Sequence, residues 1–160
     1  MTVLSDQDII SRLENRSMMI DPFREKNLTP NGYDLTISEV YTRNPEGKVT
    51  IGEVYLEPGD WCLVSTKEYL MVPPDLCANL WMRSSFIRKG LMGGFGVVDA
   101  GFKGTLTFSV TNLGPEKVAL PIGDRICQIV YLKLSSRPQH LYEGTYQDQR
   151  GITLDGGKRV

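Results

Sequence analysis

Past an N-terminal helical stretch, Gly, Pro, Asn and Asp punctuate the chain so often that only short extended segments fit between them. Such punctuation excludes long helices and points to many short strands. Leu35–Tyr41 alternates in strand fashion, and Val49–Leu56 reads as a further strand ended by the turn Glu57-Pro58-Gly59-Asp60. Trp61–Thr66, Tyr69–Val72 and Ala78–Met82 continue the series, and Ile126–Leu134 closes it. The clearest alternation is Thr105–Thr111. It places Leu106, Phe108 and Val110 on one face and Thr105, Thr107, Ser109 and Thr111 on the other. The pattern predicts a mostly β domain, a distorted sandwich or barrel with one or two short helices.

The first helix is expected over about residues 5–15. Ser5-Asp6-Gln7-Asp8 supplies a cap and an acidic third position, and Ile9, Ile10 and Leu13 are expected to face the core. A second is expected from Ser84 to Lys89, with Ser84 as cap and Gly90 as stop. The glycines at 90, 93, 94 and 96 read as a flexible turn or hairpin tip. From His140 on, polar residues and glycines dominate, which predicts a mobile C-terminal segment over about 140–160.

At 160 residues the chain fits one domain able to bury a core. The net charge of −1 comes without a basic stripe, which argues against nucleic acid as a partner. Cys62, Cys77 and Cys127 are widely spaced and lack a CxxC pair, so they read as small buried residues and not as a zinc site. Neither a signal peptide nor an apolar stretch of membrane length stands in the sequence, so the expected location is the cytoplasm.

Four clusters carry chemistry-bearing residues. Arg83-Ser84-Ser85, with Arg88 one helical turn on, offers amide and guanidinium donors suited to phosphate, or is an ordinary helix start with surface arginines. In Gly96-Val97-Val98-Asp99-Ala100-Gly101-Phe102, Asp99 is either a turn residue or a carboxylate placed to orient and deprotonate water, and Phe102 could pack under a sugar or base. Gln128 on the last strand either bonds a neighbouring strand or holds a ligand. Tyr142 through Gly151 forms either a frayed end or a lid. The single histidine, His140, rules out a Ser-His-Asp triad for practical purposes, and no Walker A loop is present.

Taken in order, these clusters resemble the dCTP deaminase and dUTP pyrophosphatase superfamily. Asn31-Gly32-Tyr33-Asp34-Leu35 resembles its early Asp-containing strand motif, and Arg83-Ser84-Ser85 with Arg88 its phosphate-binding motif. Gly96-Val97-Val98-Asp99 followed by Gly101-Phe102-Lys103-Gly104 resembles its nucleoside hairpin. Gly123 with Arg125-Ile126 and Gln128-Ile129 resembles the next strand motif, and Tyr142-x-Gly144-x-Tyr146-Gln147-x-Gln149 the lid.

The resemblance implies a dUTPase-like β-clip fold and a homotrimer with sites between subunits. It also implies Mg²⁺ carried in with a triphosphate. By this likeness Arg83, Ser84, Ser85 and Arg88 contact phosphates. Gly96, Val97 and Val98 read the pyrimidine, and Phe102 sits beside the sugar. Gln128, Tyr142, Tyr146 and Gln149 complete substrate binding, and Asp99 is catalytic.

Two departures bear on the activity. Deaminases of the superfamily place a proton-shuttling glutamate ten residues after the aspartate that Asp99 matches, and here Ser109 stands there. A serine hydroxyl is too weak an acid or base near neutrality to replace it. Thr145 stands where the lid often has a lysine, leaving Arg150 and Lys158 as candidate replacements. The expected reaction is therefore dUTP + H2O to dUMP and diphosphate. The alternatives are deamination of dCTP or a non-catalytic, trimeric nucleotide-binding module.

Overall fold

The computed structural model describes residues 2–160. In chain order the elements are β1 (Thr2–Val3), α1 (Asp6–Glu14), β2 (Met19–Asp21), β3 (Leu28–Thr29), β4 (Gly32–Arg43), β5 (Glu46–Val49), β6 (Glu53–Leu56), β7 (Trp61–Thr66) and β8 (Tyr69–Met71). They continue with β9 (Leu76–Met82), α2 (Ser84–Ile87), β10 (Leu91–Gly94), β11 (Val97–Val98), β12 (Lys103–Gly104), β13 (Thr107–Asn112), β14 (Val118–Pro121) and β15 (Arg125–Lys133). The fold is mostly β, as the punctuation predicts.

One antiparallel sheet runs β10-β13-β7-β4-β15-β9-β11, with β1 added to β15 and β3 and β5 added to β4. β4 is its spine. Tyr33 to Thr36 pair with β15, while Ile37 to Thr42 pair with β7, and the register slips between Ile37 and Glu39. Such a slip bends a strand and raises its twist, which lets one continuous strand serve both halves of the curled sheet. Smaller sheets, β12-β8-β2 and β14-β6, complete the wall. The core follows from alternation: Phe108 and Val110 of β13, Ile129 and Tyr131 of β15 and Leu35 and Ile37 of β4 are all buried. Burying each such side chain contributes about 1.5–3 kcal/mol.

α1 starts where expected: Ser5 and Asp8 form a reciprocal capping box. Ile9 is fully buried, but Ile10 is exposed, because a nine-residue helix lays only a narrow stripe on the sheet. Ser84 is the first helical residue of α2 and not its cap; Arg83 holds the cap position without a side-chain cap bond. The helix ends at Ile87, earlier than expected, with Arg88 at the C-cap position, and Gly90 at φ +90° follows in the turn that leads into β10.

Two further expectations are corrected. Val49–Leu56 is two strands, broken at Gly52, whose φ of +88° turns the chain from β5 on β4 to β6 on β14. The glycines of 90–96 are not a loose tip: Leu91–Gly94 is strand β10, paired with β13. A side chain at Gly93 would strike the Phe95 ring, and one at Gly94 would strike Ser109 Oγ. Close approach, and not flexibility, is what these glycines provide.

The C-terminal segment is docked. Gln149 bridges to Gly104 in parallel fashion, Ile152 is fully buried, and Thr153 pairs with Arg159. Its polar composition does not show this docking, because the contacts are hydrogen bonds that pair its amides and side-chain amides with residues far back in the chain. Cys62 and Cys127 are buried free thiols, and burial pushes the Cys62 thiol up to about 12. Among the described residues no helix is long and apolar enough to cross a membrane.

Candidate active site

A cavity of about 740 Å³ opens beside β7, β11 and β13. Its lining brings together Val97, Val98, Asp99, Phe102, Tyr142, Tyr146 and Gln149, all singled out by sequence. Ser109 lines it too, on the less buried face of β13 as the alternation predicts. The neighbouring Gly96 does not line it and is exposed.

Asp99 opens a tight turn. Its carbonyl accepts a hydrogen bond from the Phe102 amide at 3.1 Å, and Gly101 takes φ +89°. The turn leaves the Asp99 side chain exposed at the cavity rim while Phe102 is buried. β11 ends the sheet, its other edge being paired to Ala78 and Asn79 of β9. Of these two valines, the one whose amide and carbonyl point away from β9 has no strand partner on that side, leaving those groups available to a ligand edge.

Residues 142–153 close one side. The Tyr142 amide donates to Ala100 O (2.9 Å), and the Tyr142 ring meets Phe102 edge-on at 5.6 Å. Gln147 Nε2 donates to Gly101 O (3.0 Å), while its Oε1 accepts from the Lys103 amide (2.8 Å). Gln149 lies in the cavity wall, but its Nε2 donates to Thr105 O at 2.7 Å, so that amide is already engaged. Glu39, buried on β4, accepts the Ile152 amide at 2.7 Å and faces Lys48 Nζ at 3.4 Å. The backbone beside it has no room to spare: Gly151 takes φ +69°, and a side chain there would run into the Glu39 carboxylate.

The phosphate-type residues are elsewhere. None of Arg83, Ser84, Ser85 and Arg88 lines the cavity. Arg83 Nε pairs with Asp34 at 2.9 Å, and Arg125 Nη1 reaches the same carboxylate oxygen at 3.3 Å. Asp34 thereby fixes two guanidinium groups side by side at the start of α2. Burial lifts its carboxyl above the usual value, and the two arginines oppose that rise without cancelling it. Behind it Asn27 Nδ2 donates to Asp34 O and to Thr36 Oγ1, and the Thr36 amide donates to Glu68 Oε2 at 2.8 Å. Glu68 is buried, and burial raises its carboxyl despite that bond. Ser84, Ser85 and Arg88 are exposed beside this shelf.

Gln128 also stays out of the cavity. Its Nε2 donates to Thr29 Oγ1 of β3 at 2.5 Å. Of the candidate lid cations, Lys158 lines the cavity, whereas Arg150 stacks on the Tyr69 ring at 4.3 Å. Sequence reasoning missed Arg43, Trp61, Leu63 and Thr153 in the lining. The alternation of Trp61–Thr66 could have shown that Trp61 and Leu63 share a face, but only strand pairing reveals that Leu63 lies opposite Ser109 and Trp61 opposite Thr111.

No cluster of three or more His, Cys, Asp or Glu side chains among the described residues could hold a metal. Mg²⁺ commonly needs only one or two carboxylates together with substrate phosphates, and Asp99 and Asp155 stand in the cavity lining.

The comparisons with known proteins agree with this architecture. A model of the dCTP deaminase-like family matches residues 3–134. The dCTP deaminase of Thermococcus kodakarensis is 36% identical over 149 residues, covering 90% of this chain and 94% of the relative. The probable deoxyuridine 5'-triphosphate nucleotidohydrolase of Sulfolobus islandicus rod-shaped virus 1 is 34% identical over 154 residues, covering 95% and 97%.

Among solved structures, the 2'-deoxycytidine 5'-triphosphate deaminase of Agrobacterium tumefaciens superposes with a TM-score of 0.69 at 20% identity. It covers 81% of this chain, which spans only 47% of that longer protein. The native EIAV dUTPase superposes at 0.55 with 20% identity, covering 79% of this chain and 95% of its own.

Proposed function

The chain belongs to the dCTP deaminase-like family, and from that premise we propose that it is an enzyme that hydrolyses dUTP to dUMP and diphosphate. The observation that carries this reading is the pairing of Asp99 with Ser109 in one cavity lining. Deamination needs a group that shuttles protons to the departing amine. Besides Asp99, the one carboxylate in the lining is Asp155, exposed on the rim, and no histidine lines it. Hydrolysis needs less: a carboxylate that orients water, and cations that offset triphosphate charge.

In the proposed reaction the neutral base enters the cavity against the free edge of β11, and Phe102 packs beside the sugar. The substrate is the Mg²⁺ complex of dUTP, the ion offsetting charge on the phosphates. Asp99 accepts a hydrogen bond from water and aligns it at the α-phosphorus. As the new P–O bond forms, the bond from the α-phosphorus to the bridging oxygen breaks, diphosphate leaves, and the water proton passes to Asp99 and then to solvent. Positioning supplies much of the barrier reduction in such displacements.

Arg83, Ser84, Ser85 and Arg88 are proposed as the phosphate-side donors. Since they do not line the cavity of their own chain, a neighbouring copy in a homotrimer would present them. Exposed Trp81, Ile87 and Val97 beside these elements supply apolar surface for such contact.

The second reading, dCTP deamination, is favoured by the naming of several relatives as dCTP deaminases. One incubation with dUTP and dCTP, scored for both diphosphate and ammonia, decides. Diphosphate from dUTP without ammonia from dCTP supports the hydrolase; ammonia from dCTP overturns it.

A further inference from the structure

We propose that the hydroxyls of Thr153 and Ser109 form a base-recognition pair in the cavity wall, contacting a neutral hydrogen-bonding edge of the bound pyrimidine. The inference takes the class of ligand from the nucleotide reading above, but the pair itself is read from geometry. Thr153 is 7% exposed and lines the cavity, and its Oγ1 is a buried polar atom without a hydrogen-bond partner. Leaving such a group unpaired costs about 1–3 kcal/mol, so a folded chain that tolerates it has a reason to.

The backbone that carries this hydroxyl is pinned beside the cavity wall. The Thr153 amide donates to Thr107 Oγ1 at 3.3 Å, and Thr107 Oγ1 donates to Gly151 O at 3.1 Å. One residue earlier, the Ile152 amide is held by Glu39.

Ser109 extends the same wall. It lies two residues beyond Thr107 on the same face of β13, and both line the cavity. Its Oγ makes no protein hydrogen bond among the described residues, and the absence of a side chain on Gly94 leaves it the space it occupies. Thr107 has its hydroxyl committed to the strap; Ser109 and Thr153 do not.

The surroundings select the ligand group. Val98, Phe102, Leu106 and Phe108 are buried and apolar, while Asp99, Asp155, Arg43 and Lys158 are exposed around the rim. A phosphate gains nothing from the neutral interior, whereas a flat heterocycle with a carbonyl and a ring N–H suits it. Each hydroxyl donates and accepts, so the pair contacts uracil and cytosine edges alike. It anchors the base and does not choose between the two.

Equilibrium binding of dUMP, dCMP and the base-free 2-deoxyribose 5-phosphate to the full chain tests this without turnover. Thr153→Val and Ser109→Ala should each weaken dUMP and dCMP binding about three- to tenfold, the loss of one neutral hydrogen bond. Neither should change binding of the base-free sugar phosphate, and Thr153→Ser should bind dUMP as the wild type does. Unchanged dUMP binding in Thr153→Val overturns the proposal, as does equal weakening of the base-free ligand. Ser109→Ala leaves the C-terminal segment untouched, so it carries the same test if Thr153→Val fails to fold. Base-dependent weakening in a chain that releases no diphosphate from dUTP would keep the recognition pair and remove the hydrolase. Diphosphate release with unaltered dUMP binding in the variants would do the reverse.

Discussion

In the cavity, neutral side chains form the wall and charged ones stand at the rim. At the Arg83 shelf the arrangement is inverted: the carboxylate of Asp34 is buried and two arginines reach in to meet it. The first arrangement suits a base, whose recognition needs shape and a few hydrogen bonds. The second suits phosphate, because guanidinium groups tied to a fixed carboxylate are pre-aimed and lose little freedom on binding. On the proposed reading one chain carries the two halves of a nucleotide site on surfaces that do not share a cavity, and the difference between them can be probed one half at a time.

The largest expected effect is on chemistry. Asp99→Asn should lower kcat for dUTP by about 10²–10⁴-fold while leaving KM nearly unchanged, as loss of a general base does; steady-state diphosphate release checks both constants. The same variant tests whether the halves come from different copies. Mixed and reassembled with Arg83→Ala, it should regain about a quarter of wild-type activity if assembly is random and each site draws on two chains. No recovery would place both halves in one chain.

Arg83→Ala by itself leaves the buried Asp34 carboxylate with Arg125 alone. A loss of about 1–3 kcal/mol is expected in urea unfolding, below the full cost of an orphaned charge because one partner stays. If stability is unchanged, the shelf is held by something other than that carboxylate.

Gly151→Ala probes the wall contributed by the C-terminal segment. A non-glycine residue at positive φ costs about 1–2 kcal/mol, and its side chain would displace the Glu39 carboxylate that holds Ile152. Faster proteolysis beyond Gln149 and a raised KM for dUTP are expected, with the Arg83 shelf unaffected.

The smallest effect is a change of slope. Burial raises Glu68, so its folded carboxyl binds a proton more tightly than the unfolded one, and its contribution to stability falls as pH rises from about 4.5 through the folded value. Glu68→Gln keeps an oxygen for the Thr36 amide and should flatten that decline in thermal melts. An unaltered slope would assign it to Asp34, which shifts in the same direction.

The strands were largely legible because alternation is local: the β13 faces and the capping box of α1 are both fixed by residues within a few positions of each other. Asp99, Phe102, Tyr142 and Tyr146, named as candidates from motif order, line one cavity. The sequence misjudged Gly93 and Gly94, where glycine answers to a ring and a hydroxyl brought in by pairing. Where the C-terminal segment docks was not legible either, because its partners on β4 and β13 lie far back in the chain.

By itself, then, the amino-acid sequence determined the β class, the capping box of α1 and the two faces of β13, since each depends on residue type and short-range spacing, while the place of Ser109 against a deaminase glutamate came from the family resemblance. The tertiary structure alone decided that Thr153 and Lys158 join the Asp99 cavity, that Gln128 does not, and that Asp34 clasps two arginines away from it. Those outcomes depend on which distant strands pair and in what register, and no local pattern carries that information.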